Sequence, residues 1–317
     1  MIGIRYISSY IPERYESNFD KKNQFEIDDD FIINKLGVLR VSRKLADEET
    51  SDMCVKAFHA LRAKTSVSPA EIDCVIVCTQ NPDAHGLPHT SAIVHGKLGG
   101  REDCASFDIS LGCSGYVYGL SIAKSFLESN GFKKGLLFTA DPYSKIINPS
   151  DKNTALLFGD AASVTLLSES TVDDVSWFPV KFLFGSLGKN GNALQNFNGY
   201  LEMNGRAIFN FSAVSIPVQI KELLKSVGII INEVDLFLFH QGSKYIIDTL
   251  QRRMNLPPEK VPCNLPRQGN TVSSSIPMLL ENYLERENLN KIVLSGFGVG
   301  LSWASCLIQR INKVKGD

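Results

Sequence analysis

Short runs rich in Val, Ile and Phe alternate along the chain with longer stretches whose apolar residues recur at helical spacing. That alternation is the mark of strands covered by helices, and it predicts an α/β protein. Strands are expected at 73–79, 106–110, 135–140, 163–167, 234–239, 292–295 and 303–308, and helices at 88–98, 114–129, 207–227, 243–254 and 273–286. The two halves echo each other weakly. Each closes with two apolar strands separated by a Gly-bearing stretch, 135–139 then 158–167 in the first and 291–295 then 298–305 in the second. A duplicated βα unit is expected, with halves 1–170 and 171–317 joined through the polar, acidic segment 168–174.

At 317 residues the chain can bury a substantial core. A net charge of -1 gives no general attraction to nucleic acid, so a charged partner must be met by a local patch. The N-terminal Met1-Ile2-Gly3-Ile4-Arg5 has no basic segment followed by a long apolar run, so no export signal is expected. The apolar runs at 229–231 and 236–239 are far shorter than the roughly 20 residues that cross a bilayer. Seven cysteines, an odd number scattered through such a chain, read as reduced thiols and a cytoplasmic location.

Cys113 lies in Phe107-Asp-Ile-Ser-Leu-Gly-Cys-Ser-Gly, where an apolar strand ends, a Gly-flanked turn comes next and a helical pattern starts. A thiol at a helix N-terminus feels the positive end of the macrodipole, which favours thiolate and lowers its pKa. A buried cysteine used only for packing fits the same residue, and local context does not choose between the two. His240 ends the apolar stretch Val234-Asp-Leu-Phe-Leu-Phe, and ligands of open α/β sheets gather at such carboxyl ends. Asn270 stands in Arg267-Gln-Gly-Asn-Thr, and taken alone it is explained by turn chemistry. Gly296-Phe-Gly-Val-Gly300 precedes a strand rather than a helix, which excludes a nucleotide loop; it can instead present backbone N–H groups to an oxyanion. His85, His89 and His95 have no carboxylate or thiol at ligand spacing, and no metal site is expected. Cys74 and Cys78, four apart on a strand, share one face and read as packing.

With Cys113-Ser-Gly, His240-Gln and Gly269-Asn270-Thr in this order, the chain resembles β-ketoacyl-acyl carrier protein synthase III, a condensing enzyme of the thiolase superfamily. The likeness runs over nearly the whole length. It takes in the N-terminal Gly3 to Pro12, Thr79-Gln-Asn-Pro-Asp, Leu157-Phe-Gly-Asp160, Met203-Asn-Gly-Arg-Ala-Ile-Phe209 and the final Gly-Phe-Gly-Val-Gly-Leu-Ser-Trp. The resemblance implies a five-layered αβαβα fold of two similar halves, a homodimer, and an active site at the foot of a pantetheine tunnel. It implies a decarboxylative Claisen condensation of an acyl-CoA with a malonyl thioester, without a cofactor. Cys113 would carry the acyl group, His240 and Asn270 would donate to the thioester oxygen, and the backbone of Cys113 and Val299 would form the oxyanion hole.

For substrate binding the resemblance implies Phe31, Lys35, Lys152, Phe209, Gly242 and Ser243. The family usually has a Trp and two Arg where this chain has Phe31, Lys35 and Lys152, so stacking and charge survive but forked recognition of phosphate does not. Its His-Gln-Ala-Asn becomes His240-Gln241-Gly242-Ser243, and the middle glycine of its Gly-Gly-Gly turn becomes Val299. An acidic acyl carrier protein would be received by basic residues near the tunnel, with Lys244, Arg252, Arg253 and Arg267 as candidates. Two rivals remain open on sequence alone. One is a transferase of the same fold that passes the acyl group to an alcohol or amine without losing CO2; the other is a non-catalytic carrier-binding subunit.

Overall fold

A computed structural model describes residues 1–169 and 176–311. Nine strands form one connected sheet: β1 (Ile2–Tyr10), β2 (Cys74–Cys78), β3 (Ala105–Ile109), β4 (Lys134–Ala140), β5 (Ala162–Glu169), β6 (Ser176–Ser186), β7 (Leu236–Phe239), β8 (Lys291–Gly298) and β9 (Ser302–Ile311). Their spatial order is β7-β8-β9-β6-β1-β5-β4-β2-β3. Outward from the centre, β1-β5-β4-β2 on one side repeats as β6-β9-β8-β7 on the other. In each set the outer pair is parallel and the remaining pairs are antiparallel. Among the described residues the sets join through the pair Ile4–Trp177. The expected joint at 168–174 lies mostly outside the described residues.

Six helices cover the sheet: α1 (Thr50–Lys64), α2 (Thr90–Leu98), α3 (Gly115–Asn130), α4 (Gly205–Ser226), α5 (Lys244–Arg253) and α6 (Ser275–Leu280). Strand alternation assigns the layers. On β2, Val75 and Val77 face a cluster with Met53, Phe58 and Leu61 of α1, whereas Cys74, Ile76 and Cys78 face inward. On β7, Phe237 and Phe239 face Ile216 and Ile220 of α4, whereas Leu236 and Leu238 face inward. Both inward faces close on α3 and α6, through Val117, Leu120, Ile276 and Leu280. The result is five layers, αβαβα, with one shared central helical layer. Each large side chain buried there contributes roughly 1.5–3 kcal/mol.

The seven expected strands are present with shifted ends, and two more, β1 and β6, complete the large sheet; four further short strands form two separate pairs. β6 was hidden by Pro179, which sits at a register shift where a strand tolerates a residue without an N–H. The central β1 is sheltered by its neighbours, and its Arg5 and adjacent serines blur the alternation. Helix α1 was likewise not expected, although Met53, Cys54, Ala57, Phe58 and Leu61 are buried at helical spacing. The helix expected at 273–286 shortens to Ser275–Leu280. Among the described residues no helix is long and apolar enough to cross a membrane.

Candidate active site

Cys113 sits where β3 has ended and α3 is about to begin, and its side chain is buried. The N-cap residue Ser114 does not cap its own helix; its hydroxyl lies 2.6 Å from that of Ser302. Ser302 also donates to the Val299 carbonyl at 3.1 Å, so the helix start is tied to the β8–β9 turn. That turn comes very close. A Cβ at Gly298 would lie 2.7 Å from Cys113 Sγ, and φ of +155° there is one that a side chain disfavours. The backbone N–H groups of Val299 and of Cys113 itself reach the sulfur.

His240 comes directly after β7, with its backbone N–H bonded to the Ser295 carbonyl at 2.8 Å. Its ring meets Phe297 edge-on at 5.7 Å, and Nδ1 lies 2.8 Å from Ser275 Oγ. Ser275 Oγ is also 2.9 Å from the Val272 carbonyl. A hydroxyl has one proton to give. If Ser275 donates to Val272, it accepts from Nδ1–H and leaves a lone pair on Nε2; if it turns to Nδ1, Nε2 carries the imidazole proton.

Asn270 is fixed at both ends. Its backbone N–H donates to the Leu157 carbonyl at 2.8 Å, and its carbonyl accepts from Gly159 N–H at 3.0 Å. Its side-chain Oδ1 accepts from Val272 N–H at 2.9 Å, which turns the NH2 towards the Gly242 carbonyl, 3.4 Å away. Val272 makes this possible from a left-handed backbone, φ +52°, unusual for a β-branched residue. The Leu157–Gly159 turn therefore carries a residue from the other end of the chain.

Cys113, His240 and Asn270 line one cavity of about 340 Å³. All six residues expected to bind substrate line it too: Phe31, Lys35, Lys152, Phe209, Gly242 and Ser243. Lys152 Nζ lies 5.6 Å from the centre of the Phe31 ring, and Phe209 packs its ring 4.7 Å from that of Tyr245. Ser243 caps α5 by accepting from Ile246 N–H.

Sequence reading missed Arg206, whose exposed guanidinium lines the same cavity and supplies the forked donor that Lys35 and Lys152 lack. Asn204, which caps α4 through Ala207 N–H, was the available signal. Of the four basic candidates outside the cavity, Lys244 pairs with Asp248, while Arg252 and Arg253 donate to the Asp248 and Ala213 carbonyls; Arg267 is exposed.

The electrostatics correct one expectation. Burial pushes the Cys113 thiol up to about 12, and the N–H groups of Val299 and Cys113 offset this only in part. At rest Cys113 is a thiol, because loss of water outweighs what those two N–H groups give back. Burial also lowers His240 to about 3, so its imidazole is neutral. Asp141, fully enclosed, is raised to about 6 by burial; it accepts from Gln80 N–H at 2.6 Å and Ser273 Oγ at 2.5 Å, tying the two halves together beneath the site.

Comparison with known proteins gives a consistent picture. Residues 107–186 match the family model described as 3-oxoacyl-[acyl-carrier-protein] synthase III, and residues 224–310 match the model of its C-terminal part. The chain is 32% identical to the β-ketoacyl-[acyl-carrier-protein] synthase III of Streptococcus mutans, over 95% of this chain and 96% of that one. It is 33% identical to the protein of the same description from Natranaerobius thermophilus, over 94% and 96%. The crystal structure of 3-oxoacyl-[acyl-carrier-protein] synthase III from Aquifex aeolicus superposes with a TM-score of 0.90 at 30% identity, covering 98% of this chain and 100% of that one.

Proposed function

The chain belongs to the 3-oxoacyl-[acyl-carrier-protein] synthase III family, and from that premise we propose that it joins an acyl-CoA to malonyl-acyl carrier protein by decarboxylative Claisen condensation. The observation that carries the reading is the convergence of Cys113, His240 and Asn270, from three separate turns, on one cavity. The residues before 170 supply the nucleophile and those after it supply the His and Asn.

In the first step Cys113 attacks the acyl thioester and loses its proton as the new bond forms, and CoA departs as its thiol. The Val299 and Cys113 N–H groups, which face the sulfur at rest, take the oxyanion of the tetrahedral intermediate. In the second step the malonyl thioester loses CO2, and its enolate carbon attacks the acyl-cysteine. Negative charge gathers on the thioester oxygen, where His240 Nε2–H and the Asn270 NH2 donate. This requires the arrangement in which Ser275 turns to Nδ1. A neutral imidazole suits the step, since an imidazolium would hold the malonyl carboxylate in an ion pair and oppose its loss.

Lys35, Lys152 and Arg206 at the cavity mouth fit the phosphates of CoA, and the Phe31 ring fits its base. Arg267 and the basic end of α5 fit an acidic carrier protein. A homodimer fits the free edge of β3, which pairs on one side only. The test is direct. Protein treated with an acyl-CoA gains the acyl mass on Cys113, and subsequent malonyl-acyl carrier protein releases CO2 with formation of a β-ketoacyl thioester. Acyl loading without CO2 release on adding the malonyl thioester would sink the proposal in favour of simple acyl transfer.

A further inference from the structure

Asp141 follows β4 directly, is fully enclosed beneath the site, and has no part in the two chemical steps above. Burying a carboxyl group is costly unless hydrogen bonds satisfy it, and here they come from both halves of the chain. Gln80 N–H donates from one side at 2.6 Å, and Ser273 donates from the other through its hydroxyl at 2.5 Å and through its backbone N–H. Ser273 belongs to the run 272–275, in which each residue has its own attachment. Val272 N–H holds Asn270 Oδ1, and Ser275 Oγ meets His240 Nδ1. Between them, Ser273 is held by Asp141, and Ser274 Oγ lies 3.0 Å from the carbonyl of Thr139 on β4. The outer two residues of the run set the polar groups of the site, and the inner two fasten the run to the end of β4.

We propose that Asp141 is a positioning residue for decarboxylation: from the first half of the chain it fixes the run 272–275, and through that run it aims Asn270 and His240 at the malonyl thioester. The inference rests on the condensing-enzyme reading and adds a residue to its second step. Val272 is left-handed, a conformation that a β-branched residue keeps only where its surroundings impose it. Asp141 supplies such a restraint by gripping the next residue at both side chain and backbone. If the run shifts, Val272 N–H leaves Asn270 Oδ1 and Ser275 Oγ leaves His240 Nδ1 together. Cys113 and Val299 are held elsewhere, by the start of α3 and the β8–β9 turn, which Ser114 and Ser302 tie to each other. The negative charge of Asp141 also opposes ionisation of Cys113. Removing that charge therefore acts in opposite directions on the thiol and on the enolate step, which a general loss of structure would not do.

The test separates the two half-reactions in the full-length protein. In Asp141→Asn one acceptor becomes an NH2 that faces Gln80 N–H or Ser273, donor against donor. The kcat for CO2 release from malonyl-acyl carrier protein is expected to fall by about ten- to a hundredfold with little change in KM, the scale of a misplaced catalytic group. Acyl loading of Cys113 is expected to be unimpaired, and its alkylation by iodoacetamide at pH 8 to become faster. Ser273→Ala, which removes the hydroxyl on the other side, is expected to give the same selective loss, smaller in size. The double variant should lose no more than Asp141→Asn alone, since both changes break one interaction. A melting curve of each variant reports whether it is folded, and Ser273→Ala decides the matter if Asp141→Asn does not fold. Equal losses of acyl loading and CO2 release in the folded variants would overturn the proposal, as would normal CO2 release or fully additive losses in the double variant. Absence of CO2 release from the unaltered protein would instead overturn the condensing-enzyme reading beneath it.

Discussion

Protonation of two buried side chains sets the chemistry at the scale of single residues. Cys113 is raised to about 12, so its thiolate fraction climbs about tenfold per pH unit through the whole neutral range. Alkylation of Cys113 by iodoacetamide, followed on its peptide by mass spectrometry, should keep rising from pH 7 to pH 10; levelling near pH 8.5 would mean an ordinary thiol. His240 is shifted the other way. Between its ordinary value of 6.5 and the folded value of about 3, the unfolded chain takes up a proton that the folded chain refuses. Stability therefore falls with acidification over that window, by up to about 1.4 kcal/mol per pH unit from this group. Urea titrations at pH 4, 5 and 6 should show a shallower pH slope for His240→Gln than for the unaltered protein; equal slopes would count against a neutral buried imidazole. Ser275→Ala removes the hydroxyl that sets the tautomer. It should leave acyl loading largely intact and slow CO2 release about tenfold, the value of one orienting hydrogen bond. Cys113 and His240 were legible in sequence because each stands at a turn after an apolar strand; Asn270 became so only through the ordered motif set. Ser275 and Val272 were not, since their parts depend on a hydroxyl direction and a left-handed backbone that adjacent residues do not betray.

Among elements, the β8–β9 turn and the start of α3 act as a pair. Gly298 permits contact with the sulfur, so Gly298→Ala forces a Cβ to within 2.7 Å of Sγ. Acyl loading should drop by about a hundredfold or more while circular dichroism stays native, a loss on the scale of a displaced reacting group; normal loading would show that the turn can retreat. The Gly-rich run is legible in sequence as a turn between two strands, because the apolar segment from Trp303 to Ile308 has the length of a strand and no helical period. By contrast, the length of α6 was misjudged. Pro277 in its first turn and the apolar run to Leu280 suggest a longer helix, but the chain leaves the helix after Leu280 in a series of turns, in which Leu284 stays buried, Trp177 Nε1 donates to its carbonyl at 3.0 Å and Arg310 bonds the Arg286 carbonyl at 2.6 Å. Apolar periodicity marks where a helix is buried and says less about where it stops.

Across the whole molecule, the repeat of four strands on either side of the centre was legible in the paired strand–Gly–strand endings of each half. The layering was legible only through the family resemblance and not from periodicity, because strand faces in a sheet buried on both sides carry the same apolar residues. The shared core of α3 and α6 has a consequence for folding. Side chains of both halves, among them Ile4, Ile76, Leu238 and Leu294, pack into one cluster. Calorimetry should give a single transition, and fragments 1–169 and 176–317 expressed separately should not fold; two resolved transitions would mean that the halves are independent. The same enclosure governs how the protein ages. Peroxide and disulfides react with the anionic form of sulfur, and the resting sulfur at the centre of this molecule keeps its hydrogen. Peroxide treatment of the idle protein should therefore oxidise Cys113 only slowly at neutral pH and faster as pH rises, as followed by the mass of its peptide.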